Sequence, residues 1–157
     1  MTEADGSPDS PPEREWIARA ETELRRAGLR STGPRSSVIE VVGRQDCVLT
    51  ADQVAEELKG LGRRVGIATV YRTLELLAEM GLLRRLDVGD GLARYEPSLP
   101  GGARHHHHYV CTDCDRVTPF EDAGLERAIE ALCERFPRPV ESHEIILRGP
   151  CLGCGSD

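Results

Sequence analysis

Two C-x-x-C pairs, Cys111-x-x-Cys114 and Cys151-x-x-Cys154, constrain this chain more than any other feature. Each pair can hold one soft cation from a tight turn, and two pairs give the all-sulfur tetrahedron that zinc prefers. The 36 residues between them (115–150) exceed a usual zinc-ribbon loop. A helix and a strand must fill that gap, and the site must pin the chain end back onto the strand that carries the first pair. Binding energy of this kind is folding energy. The rival chemistry is a redox switch, in which the same thiols oxidise once metal is lost. The N-terminus is polar, and no apolar run approaches the roughly 20 residues that span a bilayer. A cytoplasmic protein is expected, whose six cysteines are free or metal-bound rather than disulfide-paired. Cys133 falls on an apolar helix face and reads as a core thiol, and Cys47 reads as a loop residue between two helices.

Just before the first pair the chain runs HHHHYVCTDC (105–114). Side chains on a strand alternate between faces, so His105 and His107 point one way and His106 and His108 the other. One run of four can therefore seed two different metal sites. Imidazole suits zinc, iron, nickel and copper alike, so the metal's identity rests on the remaining ligands. Candidate partners are Glu96 at the end of a hairpin, Glu126 in the first turn of a helix, and His143 on the last strand.

Helical periodicity organises the first two-thirds. A helix is expected from Trp16 to about Ala27, ended by Gly28. A second, RSSVIEVVGRQ, has Pro34 near its start and Val38, Ile39 and Val42 on one face. A third begins at Thr50, where TADQ is a capping box ahead of Val54, Ala55 and Leu58. A fourth, IATVYRTLELLAEMG, sets Ile67, Val70, Leu74, Leu77 and Ala78 on one buried face. LLRRLDV, the turn GDG and LARYEP make a hairpin. Three helices closed by a two-stranded hairpin form a winged helix-turn-helix. Beyond PSLPGGAR, HHHHYVC and DRVTPF read as strands, GLERAIEALCERF as a helix and VESHEIILR as a strand. The fold class is α+β: an N-terminal winged helix-turn-helix domain, then a small α/β domain with a four-cysteine zinc site. Residues 1–15 are expected to be a disordered tail, 16–97 the winged-helix domain, 98–104 a hinge, and 105–157 the metal-binding domain.

The formal charge of -7 argues against nucleic acid only on average. The acid is concentrated at the two ends, whereas LRRAGLRSTGPR (24–35) has four arginines and no acid. Local charge steers a ligand, so a DNA-binding reading survives. On the fourth helix Thr69, Tyr71, Arg72 and Thr73 can face outward. Arginine can fork onto guanine or a phosphate, and tyrosine can touch a thymine methyl.

AGLRSTGPR, GIATVYRTLELLAEMGLL, RYE, HHHHYVCTDC, a distant His143 and a terminal C-x-x-C stand here in one order. In these features the chain resembles the Fur family of metal-responsive repressors over residues 20–154. Its histidine run is most similar to the zinc-uptake-regulator branch. The resemblance implies a homodimer with winged-helix domains and C-terminal dimerisation domains. It implies structural zinc on Cys111, Cys114, Cys151 and Cys154. It implies a sensor site at Glu96, His106 and His108, and a second site, in the dimerisation domain, at His105, His107, Glu126 and His143. Tyr71 and Arg72 match residues with which the family's recognition helix meets DNA, and Arg30 and Arg35 match basic positions near the backbone and minor groove.

The sequence departs from the pattern at the sensor. Many members have a histidine just before the third helix, where Val48 stands here beside Cys47. Iron- and peroxide-type members have an acid after the C-x-x-C, where Pro119 stands. Zinc-type members use an aspartate at the start of the wing and a cysteine near the hinge, where Arg84 and Ser98 stand. The fourth sensor ligand stays open between Cys47, Asp87 and water.

The function these features imply is a metal-dependent repressor of metal-homeostasis genes that binds a palindromic operator. It is expected to respond to zinc, with ferrous iron, manganese, nickel and peroxide as alternatives within the family. No membrane, small-molecule substrate or enzymatic activity is expected. A zinc hydrolase and a zinc-buffering protein are the rival classes; neither explains the Tyr71–Arg72 helix.

Overall fold

The computed structural model describes residues 11–30, 32–45, 47–99, 106–151 and 153–154. The chain splits into two compact units, divided between Ala103 and Arg104. Among the described residues no helix is long and apolar enough to cross a membrane.

The first unit holds α1 (Pro11–Arg26), α2 (Gly33–Gly43), β1 (Leu49–Thr50), α3 (Ala51–Gly60), α4 (Ile67–Glu79), β2 (Leu83–Asp87) and β3 (Ala93–Pro97). α1 begins five residues before the expected start, so residues 11–15 are helix rather than tail. Prolines at the first turn cost little, because the N–H they lack would have no helical partner there. The early start brings Glu13 into a buried stripe with Trp16, Ala20 and Leu24. Trp16 Nε1 donates to the Leu82 carbonyl at 2.8 Å and ties α1 to the start of the wing.

The expected capping box at Thr50 is complete. Its hydroxyl accepts from Gln53 N, and the Gln53 side chain accepts from Thr50 N. Such a cap contributes about 1 kcal/mol. α4 buries Val70, Thr73, Leu74 and Leu77, an i, i+3, i+4, i+7 face. Ile67, expected on that face, is 43% exposed, because it sits at the helix start beyond the reach of the core. Thr73, expected outward, is buried, its hydroxyl satisfied by the Thr69 carbonyl at 2.8 Å. Gly81 closes α4 at φ +68, a left-handed conformation that side chains resist.

The wing is a three-stranded sheet in the order β1-β3-β2. The two-residue β1 pairs Leu49 with Tyr95 and Thr50 with Arg94; it is too short for periodicity to mark. Ser98 and Leu99, placed in the expected hinge, belong to this unit. Ser98 N donates to Leu82 O, Arg19 donates to Ser98 O at 2.9 Å, and Leu99 packs against the core. The rest of that segment, 100–104, lies outside the described residues.

The second unit holds β4 (His107–Cys111), β5 (Val117–Phe120), α5 (Ala123–Cys133) and β6 (Ile146–Gly149). Its sheet has the order β5-β4-β6. β5 runs antiparallel to β4 from a short turn; β6 runs parallel, which requires a crossover, and α5 supplies it. Asp122 caps α5 by accepting from Leu125 N at 2.7 Å. The expected apolar face of α5 is not buried within one chain: Leu132 is 46% exposed and Cys133 only partly covered, while Phe136, expected on the helix, lies beyond its end and is 54% exposed. Three short strands offer too little surface to cover it.

Packing of α1 on α2 depends on Gly43, where an added Cβ would fall 2.6 Å from Ile17 Cγ1 and 3.0 Å from Trp16 Cε3. Gly43→Ala is expected to destabilise this unit by about 1–3 kcal/mol through overpacking. Urea unfolding followed by fluorescence of Trp16, the chain's only tryptophan, measures it.

Candidate metal sites and recognition helix

The four paired cysteines converge. Cys111 ends β4, Cys114 lies in the turn to β5, and Cys151 and Cys154 follow β6, with the sulfurs all within 4.8 Å of one another. Individual separations are 3.4 Å (Cys111–Cys154), 3.8 Å (Cys114–Cys151) and 3.0 Å (Cys151–Cys154). A sulfur tetrahedron around zinc, with bonds of about 2.3 Å, has edges of about 3.8 Å, so the donor set fits. Backbone bonds hold the chain end in place: Thr112 N donates to Gly149 O, and Cys151 N donates to Cys111 Sγ at 3.2 Å. A Cβ at Gly149 would collide with the Tyr109 hydroxyl, which donates to the Pro150 carbonyl at 3.1 Å. Burial alone would raise the Cys111 thiol. Backbone N–H groups of Asp113, Cys114 and Cys151 outweigh it and lower the pKa to about 6, which favours the thiolate a metal needs.

The histidines divide by face. His107, fully buried, meets Glu126 at the start of α5 (Nε2 to Oε1, 2.7 Å), and His143 Nε2 lies 3.2 Å from the other oxygen of the same carboxylate. These three offer donor atoms mutually within 4.8 Å. His143 does not lie on the last strand as expected; it precedes β6 by three residues. His105 lies outside the described residues. His106 and His108 share the opposite side, their rings edge to face with centroids 4.9 Å apart. The backbone N–H of His108 donates to Ile145 O, and Glu144 stands 3.8 Å from His108 Nδ1. The sequence does not mark Glu144: it stands before β6, and its place beside His108 follows from the parallel register of β6 on β4.

Glu96 belongs to the first unit. It is buried on β3 and accepts from Arg84 Nε at 2.7 Å across the β2–β3 pair. Next to it, the buried Tyr95 hydroxyl donates to Glu75 on α4, so the wing is tied to the fourth helix. Nothing in the sequence marks that pair, since 20 residues separate its members. Asp90 receives both Nη atoms of the buried Arg94, at 2.9 and 2.7 Å, which closes the wing turn and lowers the Asp90 carboxyl to about 2.

On α4, Tyr71 is 44% exposed and Arg72 is exposed, its Nε resting on the Ala68 carbonyl at 3.1 Å. Thr69 is half-buried. Arg30 is exposed, and Arg35 donates to the Arg30 carbonyl at 2.6 Å, so the two basic positions lie together.

Burial, reinforced by the Glu75 carboxylate, raises the Tyr95 phenol from 10.0 to about 12. A folded-state pKa above the unfolded one gives stability that is complete below pH 10 and lost as pH rises through about 12. One of the three tyrosines should therefore resist ionisation to about pH 12 in an ultraviolet titration, and Tyr95→Phe should remove that step.

Comparison with known proteins bears on both units. The family model described as "Ferric uptake regulator family" matches residues 26–148. The ferric uptake regulation protein of Bacillus subtilis is 32% identical over 139 residues, covering 88% of this chain and 93% of its own length. The crystal structure of the Vibrio cholerae ferric uptake regulator, described as revealing rearrangement of its DNA-binding domains, is 31% identical. It superposes with a TM-score of 0.72, covering 83% of this chain and 98% of that one. The ferric uptake regulator of Francisella tularensis, described with iron, is 28% identical with a TM-score of 0.66, over 81% and 95% of the two chains. With this match across most of its length, an N-terminal DNA-binding domain and a C-terminal dimerisation domain bearing a cysteine cluster, the chain belongs to the ferric uptake regulator family of metal-responsive transcriptional regulators.

Proposed function

We propose that the chain is a zinc-responsive repressor that binds a palindromic operator as a homodimer in the cytoplasm. The observation that carries the metal reading is the sorting of the histidines by face. His107 meets Glu126 and His143 on one side of β4, and His106 and His108 pair on the other. In this reading Cys111, Cys114, Cys151 and Cys154 hold a structural zinc. The second site, in the dimerisation domain, is His107, Glu126 and His143, with His105 as a further ligand. The sensor set is Glu96, His106 and His108. Because it draws donors from both units, an ion bound there would restrict how they move and favour the DNA-competent population. The first unit acts as the DNA-binding domain and the second as the dimerisation domain, where the uncovered face of α5 is available to a second copy.

On DNA, Tyr71, Arg72 and Thr69 of α4 would enter the major groove, with Arg30 and Arg35 on the backbone and minor groove. Recognition helices of the two protomers would stand about 34 Å apart, one helical turn of the operator. We assign no enzymatic activity. The hydrolase and buffer readings leave the exposed Tyr71–Arg72 face without a use. Ferrous iron is the second reading, favoured because relatives 32–34% identical are named ferric uptake regulation proteins.

The test measures metal content and DNA binding together. One zinc should survive chelation, and His106→Ala/His108→Ala should lose one labile ion. Competition between zinc and ferrous iron for restoring operator binding names the metal. Tyr71→Ala and Arg72→Ala should each weaken binding to a duplex enriched from random sequence by about 1–3 kcal/mol while metal content holds. Unchanged binding overturns the assignment of α4.

A further inference from the structure

We propose that Glu144 is the positioning residue of His108: its carboxylate receives the Nδ1 proton and fixes the ring with Nε2 toward the metal. The inference rests on the reading of His106 and His108 as metal ligands. β6 runs parallel to β4 with Ile146 level with His108, and the His108 N–H donates to Ile145 O at 3.0 Å. That bond fixes the segment preceding β6 along His108. His143 turns to the Glu126 cluster, and the next residue, Glu144, turns to the opposite face, where its Oε1 lies 3.8 Å from His108 Nδ1. On the other flank of β4 the residue level with His108 is Pro119, whose side chain can neither donate nor accept.

Glu144 Oε1 stands beside Nδ1, the ring nitrogen that ligation through Nε2 leaves for a hydrogen-bond partner. That is the place of an orienting carboxylate rather than of a ligand. A separation of 3.8 Å exceeds a hydrogen bond. His108 is fully buried, whereas the Glu144 side chain is 35% exposed, so the carboxylate is the partner with room to close the gap. A carboxylate on the second ring nitrogen sets the tautomer and raises the basicity of the ligating one.

The experiment uses the full chain with its cysteine site zinc-loaded, in a His143→Ala background that weakens the neighbouring cluster. Cobalt(II) is the probe, titrated against a competing chelator. Glu144→Ala should weaken binding about 10–100-fold with the cobalt absorption bands unmoved, because the ligands are unchanged. Glu144→Gln should recover part of the loss, since its amide oxygen accepts the same proton. Nitrogen-15 correlation spectra of the metal-loaded protein should show His108 protonated at Nδ1. Unchanged affinity in Glu144→Ala overturns the proposal, as does a band shift, which would make Glu144 a ligand. His106→Ala/His108→Ala separates the two levels. If that variant still binds the ion, the metal reading falls and this proposal with it; if it loses the ion while Glu144→Ala does not weaken it, only this proposal falls.

Discussion

Strand β4 is the element on which the second unit depends. A sheet of three strands, none longer than five residues, is marginal by itself. Its centre is filled by His107 and His108, both fully buried, where an ordinary sheet would place apolar side chains. Buried imidazoles stabilise nothing without partners, and each of these has an acid beside it, Glu126 for one and Glu144 for the other. Cys111 ends the same strand and opens the cysteine cluster. Candidate metal donors thus occupy the position of a hydrophobic core, so an ion held by them would couple its binding to the folding of this unit.

The first unit solves its packing conventionally and spends its polar groups on orientation. Trp16, Val38, Ile39, Leu58, Leu74 and Tyr95 make an ordinary apolar core. On β3, successive side chains then point at different partners. Arg94 closes the wing turn through Asp90, Tyr95 reaches the fourth helix through Glu75, and Glu96 reaches β2 through Arg84. Alternation along one five-residue strand therefore places the contact to the fourth helix beside the carboxylate proposed as a sensor ligand.

Much of this was legible in the sequence, and the reasons differ by element. The Thr50 capping box and the α4 stripe are local signals, and they fold as written. The cysteine cluster was legible because two C-x-x-C turns together supply the four sulfurs of one tetrahedral site. Ile67 was misplaced because periodicity gives an angle around the helix, not the depth of what packs against it, and Thr73 because a polar side chain at a core-facing angle does not look apolar. The start of α1 is hidden in the sequence because an acidic stretch rich in proline and serine reads as tail, though proline is tolerated in a helix's first turn. His143 and Glu144 needed the parallel register of β6 on β4, which no local pattern specifies.

Arg84 has a consequence for how strongly an ion must bind. Glu96 is buried and already paired with a guanidinium that is 41% exposed at its side chain. An ion that takes this carboxylate competes with the existing pair, so part of its binding free energy goes to displacing Arg84 or sharing Glu96 with it. The guanidinium can find water on release, being near the surface, so the competition is modest rather than prohibitive. Release also loosens a β2–β3 contact one residue from the Tyr95–Glu75 bond. If ion binding at Glu96 and DNA binding through α4 are linked, the linkage is reciprocal: whatever the ion gains from bound DNA, DNA gains from the bound ion. On the proposed reading of Glu96 as a ligand, the ion pair would then act on both equilibria, setting the ion concentration needed for binding as well as the stiffness of the wing.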